Sequence, residues 1–99
     1  MVIKTDISKF DEAIKTGKVI IDFYADWCGP CKMLAPIFEQ LSDEMKEVFF
    51  VKVDIDESQE LAQRFNISSI PTLLIFDDGQ LKRTLNGYKS KEELKTALS

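Results

Sequence analysis

Val19-Ile20-Ile21-Asp22-Phe23-Tyr24-Ala25-Asp26-Trp27-Cys28-Gly29-Pro30-Cys31-Lys32 holds two elements and the join between them. Val19–Ala25 is apolar on both alternating faces except at Asp22. A strand covered on both sides has that pattern, so it belongs at the centre of a sheet. A helix begins near Cys28. Leu34, Ile37, Phe38, Leu41 and Met45 follow at the spacing of one helical face. Pro36 lies inside this helix and is expected to kink it, because the ring removes one backbone donor and crowds the preceding turn.

On the N-terminal side, Val2–Lys4 reads as a short strand. Ile7, Phe10 and Ile14 then fall at helical spacing, and Gly17 is placed to end that helix. On the C-terminal side, Val48–Ile55 reads as a second buried strand. Ser58–Phe65 reads as a short helix with Leu61, Ala62 and Phe65 inward and Asn66 as its C-terminal cap. Thr72–Phe76 and Leu81–Leu85 are two strands joined through Asp78-Gly79, a strong hairpin signal, and Gly87 breaks the second. Ser90-Lys91-Glu92-Glu93 is a capping box that opens a final helix with Leu94, Ala97 and Leu98 inward. Strands alternate with helices, and an antiparallel hairpin and a closing helix follow, so the fold class is α/β. No repeat or linker interrupts the order, and 99 residues support one domain over 1–99.

Thirteen Lys and Arg stand against seventeen Asp and Glu, with no His, for a formal net charge of −4. That balance argues against nucleic acid, which needs a basic footprint, and against an anionic membrane surface. The apolar runs are too short to span a bilayer. A hydrophobic fraction of 44% with 30% charged residues is that of a globular chain. A domain of this size buries roughly 65% of its unfolded surface, enough to fold without disulfide staples. Charge arrives at Lys4 and Asp6, too early for the apolar region of a signal peptide. The expected compartment is the cytoplasm, where thiols are kept reduced, and the expected state is a monomer.

Cys28 and Cys31 are the only cysteines. Two cysteines placed at random in this length would fall three apart about one time in fifty. A structural disulfide is disfavoured, since so short a loop constrains the unfolded chain by only about 2 kcal/mol. A zinc site wants four Cys or His ligands, and the chain supplies two. Metal or iron–sulfur ligation shared across a dimer, and two inert buried thiols, stay open as alternatives. The neighbours favour a redox-active dithiol. Cys28 follows a strand at the mouth of a helix, where its sulfur can accept from free N–H groups of the first turn and feels the positive end of the helix dipole. Both effects favour the thiolate, which is the nucleophile. Lys32 adds a nearby cation, and Asp26 works against it. Gly29 allows close approach of a second chain, and Pro30 gives up a donor that the first turn leaves unpaired anyway. Cys31, one turn inside, is expected to be the better buried. Cys28 is therefore expected to attack and Cys31 to resolve the mixed disulfide.

Trp27-Cys28-Gly29-Pro30-Cys31-Lys32 resembles the active-site motif of the thioredoxin family. The resemblance runs over nearly the whole chain, through Asp22 to Asp26, Met33 to Pro36, Ile70-Pro71-Thr72, Gly79 and Gly87. It implies a thioredoxin fold, with five strands in one mixed sheet and four helices around it. It implies a protein-disulfide reductase with no bound cofactor or metal, regenerated by an NADPH-dependent flavoprotein, thioredoxin reductase. Its substrates would be proteins with reducible disulfides. Gly-Pro between the cysteines suits a reductant; an oxidase or isomerase of this fold more often carries His there. A binding or chaperone-like subunit that uses the same surface without its redox couple is the competing class.

Other residues take roles in this frame. Asp22 is a carboxylate in an apolar strand, and desolvation should raise its pKa and make it a proton acceptor. The resemblance implies that it takes the proton of Cys31. Lys52 shares a strand face with Phe50 and Asp54, and tunes Asp22 if the two strands are neighbours; otherwise it is a solvated lysine near a strand end. The resemblance implies a cis bond before Pro71, lying against the cysteines and turning the backbone of Ile70 towards an extended substrate. Trp27, Gly29, Pro30, Ile70, Pro71 and Gly87 would then form a small flat apolar surface for substrate. Tyr24 stands where many bacterial thioredoxins have Trp. Ser69 and Asn86 are more polar than the family pattern and bear on substrate preference.

Overall fold

The strand read as central is central. A computed structural model describes residues 1–99, and in it β2 (Lys18–Tyr24) is flanked on both sides and buried from Val19 to Phe23. The other strands are β1 (Val2–Lys4), β3 (Val48–Asp54), β4 (Thr72–Asp77) and β5 (Gln80–Asn86). The sheet order is β1-β3-β2-β4-β5. β1, β3 and β2 run parallel, whereas β4 pairs antiparallel with β2 and with β5. The helices are α1 (Phe10–Ile14), α2 (Gly29–Glu44), α3 (Gln59–Arg64) and α4 (Lys91–Leu98). This is the five-stranded mixed sheet with four helices that the resemblance implies.

Alternation along β2 divides the core into two layers, because successive side chains point to opposite faces. Val19, Ile21 and Phe23 pack with Phe10 and Ile14 of α1 and Leu61 of α3. Phe65, just beyond α3, packs tilted or edge-on against Phe10, Phe23 and Phe76, with ring centroids 5.3, 6.0 and 5.9 Å away. Ile20 lies on the other face with Leu34, Phe38 and Leu41 of α2 and Leu94 and Leu98 of α4. Burial of such side chains stabilises by about 1.5–3 kcal/mol each, so the two layers hold the helices in place.

The local signals map onto specific geometry. Asp78 and Gly79 have φ of 49° and 85°, the two positive values that a two-residue hairpin turn of matching twist demands. Asn66 also takes positive φ, at 53°, as a helix-ending residue does. The capping box is complete: Glu93 N–H donates to Ser90 Oγ at 3.1 Å, and Ser90 N–H donates to Glu93 Oε1 at 2.9 Å. Ser90→Ala is expected to cost about 1 kcal/mol. For a chain of this length that lowers Tm by roughly 4–8 °C in a thermal melt. An unchanged Tm would mean that Leu94 and Leu98 hold α4 without the cap.

Two expectations need correction. Ile7 is not on α1. It is 45% exposed, and the helix starts three residues later, at Phe10. Asp6 Oδ1 accepts from Ser8 N–H at 3.0 Å and from Ser8 Oγ at 2.6 Å, so a side-chain turn competes with the helix there. Ala25 is buried but lies beyond β2, because its carbonyl accepts from Cys28 N–H at 3.2 Å and turns the chain. Pro36 sits inside α2, which continues past it to Glu44.

Candidate active site: the Cys28–Cys31 pair

Parallel strands place their C-terminal ends at one edge of the sheet, where α/β proteins assemble sites. β2 delivers Ala25 to Cys28 to that edge. β4 runs the other way, so its start at Thr72, in register with Phe23, brings Ile70 and Pro71 there too. The end of β5 adds Gly87, whose φ of 84° suits glycine and whose N–H donates to Pro71 O at 2.8 Å. Topology thus gathers residues from three separate parts of the chain.

Cys28 is the N-cap of α2. Its Sγ accepts from Cys31 N–H at 3.2 Å, the bond that an N-cap oxygen would make. The Cys28 and Cys31 sulfurs are joined as a disulfide, with Cα atoms 5.3 Å apart. Ile70 O lies 3.8 Å from Cys28 Sγ, and the Ile70–Pro71 peptide is cis. Ala25 and both cysteines form a small apolar cluster, with Tyr24, Ile55 and Ile70 packed on it.

The two sulfur residues are equally buried, Cys28 at 5% and Cys31 at 4% exposure. Cys31 is therefore not the better buried, because the Ile70 segment covers Cys28 from the side. The asymmetry between them lies instead in the N-cap position of Cys28. Trp27 is 68% exposed, and Gly29 and Pro30 are exposed beside it. Ile70 and Gly87 are half-buried. Pro71 is buried, so it underlies the flat surface rather than forming it.

Asp22 sits on the α2 face of β2 and is 4% exposed. Its Oδ1 has no hydrogen-bond partner, which sets aside a carboxylate tied to backbone N–H groups. Burial pushes its pKa up to about 7, opposed by the Lys52 ammonium. The two are directly paired across β2 and β3, so the strands are neighbours. A groove of about 330 Å³ opens beside them, lined by Pro36, Phe38 and Glu39.

No sequence pattern marks Asp56 as a site residue. Its Oδ2 accepts from Trp27 Nε1 at 2.9 Å and fixes the exposed indole. Asp54, buried at the end of β3, holds that loop by accepting from Asp56 N–H at 2.8 Å. The Asp-x-Asp spacing marks such a turn, but only the folded chain shows that it faces Trp27. No three His, Cys, Asp or Glu side chains come together as a metal site. No helix is long and apolar enough to cross a membrane.

A vicinal sulfur pair at a helix N-terminus, capped on one sulfur, performs dithiol/disulfide exchange; fold and site define a thiol–disulfide oxidoreductase. The family model described as Thioredoxin matches residues 1–99. A thioredoxin of Mycoplasmoides gallisepticum is 44% identical over 95 residues, 95% of each chain. One of Bacillus subtilis is 45% identical over 94 residues, covering 94% of this chain and 90% of that one. The solved mitochondrial thioredoxin 3 of Saccharomyces cerevisiae, in its oxidised form, superposes with a TM-score of 0.90 at 36% identity. That match covers 98% of this chain and 92% of that chain. The chain belongs to the thioredoxin family.

Proposed function

We propose that residues 1–99 form one domain acting as a general reductant of protein disulfides. The observation that carries this reading is the N-cap bond from Cys31 N–H to Cys28 Sγ at 3.2 Å. In the reduced protein the same N–H and the helix dipole favour a Cys28 thiolate. That thiolate attacks one sulfur of the substrate disulfide. A mixed disulfide forms, and the other substrate sulfur leaves as a thiolate that takes a proton. Asp22 then accepts the Cys31 proton, with Lys52 tuning its affinity, and Cys31 attacks Cys28 Sγ. The second substrate thiol is released, and two electrons have passed to the substrate while Cys28–Cys31 is oxidised. Asp22 returns its proton through the groove beside Lys52.

Trp27, Gly29 and Pro30 offer the exposed surface on which an extended segment lies, with half-buried Ile70 at its edge and Pro71 and Gly87 shaping it from below. The backbone of Ile70, beside Cys28 Sγ, supplies strand-like pairing. The partners are proteins with reducible disulfides and an NADPH-dependent thioredoxin reductase that restores the dithiol, in the cytoplasm. The protein itself holds no cofactor and acts as a monomer.

The direction of transfer is tested by the reduction potential of the couple, equilibrated against glutathione or dithiothreitol and followed by thiol labelling. A potential well below that of the glutathione couple is the expected result. For this two-electron couple about 30 mV is tenfold in the equilibrium, so the two directions separate clearly. A potential well above it would make the protein a disulfide donor.

A further inference from the structure

Three charged residues lie in a row across the sheet: Lys4 on β1 is in register with Lys52 on β3, and Lys52 with Asp22 on β2. Lys4 turns to Glu57, at 2.7 Å. Lys52 has a choice. Asp22 is directly opposite, and Tyr24 is two residues further along the same face of β2. The ammonium takes the ring, with Lys52 Nζ 5.5 Å from the Tyr24 centroid, inside the range of a cation–π contact. No ion pair joins Lys52 to Asp22, and Asp22 Oδ1 stays without any partner.

We propose that Tyr24 is a positioning residue whose ring holds the Lys52 ammonium over its face and away from Asp22, leaving the buried carboxylate without an ion pair. The proposal rests on the reading of Asp22 as the proton acceptor, because its consequence falls on that residue's protonation. A carboxylate in contact with an ammonium holds its proton weakly, whereas one buried alone holds it tightly. Tyr24 thereby keeps Asp22 able to carry a proton during exchange. The groups facing this cluster are Lys52 of β3, Lys4 of β1, Glu39 of α2, and Asp26, Asp54 and Glu57 around the Tyr24 ring. Tyr24 hydroxyl ionisation has no part in the mechanism, since burial pushes its pKa up.

The test follows the Asp22 carboxyl carbon by NMR against pH in the oxidised protein. Tyr24→Leu keeps apolar bulk and removes the aromatic face. It is expected to lower the Asp22 midpoint by about one pH unit, a tenfold loss of proton affinity. Tyr24→Phe retains the face and is expected to restore the parent midpoint. In a Lys52→Met background, Tyr24→Leu is expected to move the midpoint no further. An unchanged midpoint in Tyr24→Leu, or a shift that persists without Lys52, overturns the proposal. A measurement on the unsubstituted protein guards against a variant that fails to fold. Lys52 Hε resonances are expected upfield of those of the other lysines, because they lie over a ring, and unshifted resonances overturn it equally. A midpoint that moves while the pH profile of disulfide exchange does not would leave Tyr24 in its role and remove Asp22 from the proton transfer.

Discussion

Cys28→Ser is expected to lower the rate of protein-disulfide reduction by on the order of ten-thousand-fold or more, because a serine hydroxyl is not ionised at neutral pH and cannot exchange with a disulfide. The substitution isolates chemistry from folding. Serine is a preferred N-cap, so its Oγ can take the Cys31 N–H that Cys28 Sγ accepts at 3.2 Å. The melting temperature is therefore expected to change little relative to the reduced parent. Cys31→Ser has a different signature. Cys28 still attacks, nothing resolves the mixed disulfide, and the substrate stays covalently attached. Gel analysis without reductant should show that adduct for Cys31→Ser and none for Cys28→Ser. The reverse pattern would exchange the roles of the two cysteines. Retained activity in the double Ser variant would place the function in the surface and not in the couple.

The second large effect is on stability against pH. Asp22 titrates at about 7 in the folded protein, raised by burial from an ordinary value of 3.8. Well below pH 3.8 it is protonated in both states and costs nothing. Between pH 4 and pH 7 the folded state binds the proton and the unfolded state releases it, so stability falls as pH rises. The rise from 3.8 to about 7 corresponds to about 4 kcal/mol lost by the time pH exceeds 7. Asp22→Asn removes this titration. Urea unfolding of both proteins at pH 4 and pH 8 should show the variant gaining about 4 kcal/mol on the parent between the two pH values. Equal pH dependence in the two proteins would mean that Asp22 is solvated and has no raised pKa. Glu44, Asp6 and Glu93 are held below the usual carboxylate range by hydrogen bonds from Lys91, Ser8 and Ser90. They act in the opposite sense and are common to both proteins, so the comparison cancels them.

The relations legible in the sequence are those that close within a few residues. Cys28 and Cys31 at one turn's spacing, Ser90 with Glu93, and Asp78-Gly79 between two strands are local geometry, fixed by backbone sterics and hydrogen-bond reach. The alternation of Val19–Ala25 placed β2 at the centre, because only a strand covered twice lacks a polar face. Asp22 stood out against that alternation as a charge with no local partner, and the prediction that burial would raise its pKa needed nothing more. Ile7 lies at helical spacing yet off the helix, because the side-chain turn made by Asp6 and Ser8 competes with a pattern that periodicity alone cannot reject.

Tertiary structure decided what long-range register controls. Ile70 reaches Cys28 across 42 residues, and Asp56 reaches Trp27 across 29. Neither pairing is written in spacing, since each depends on where packing leaves the end of a strand. The same register set Lys52 opposite Asp22, but the ring of Tyr24 determined where its ammonium went. A lysine's long stem reaches several partners, and only the assembled sheet fixes which one its charge meets.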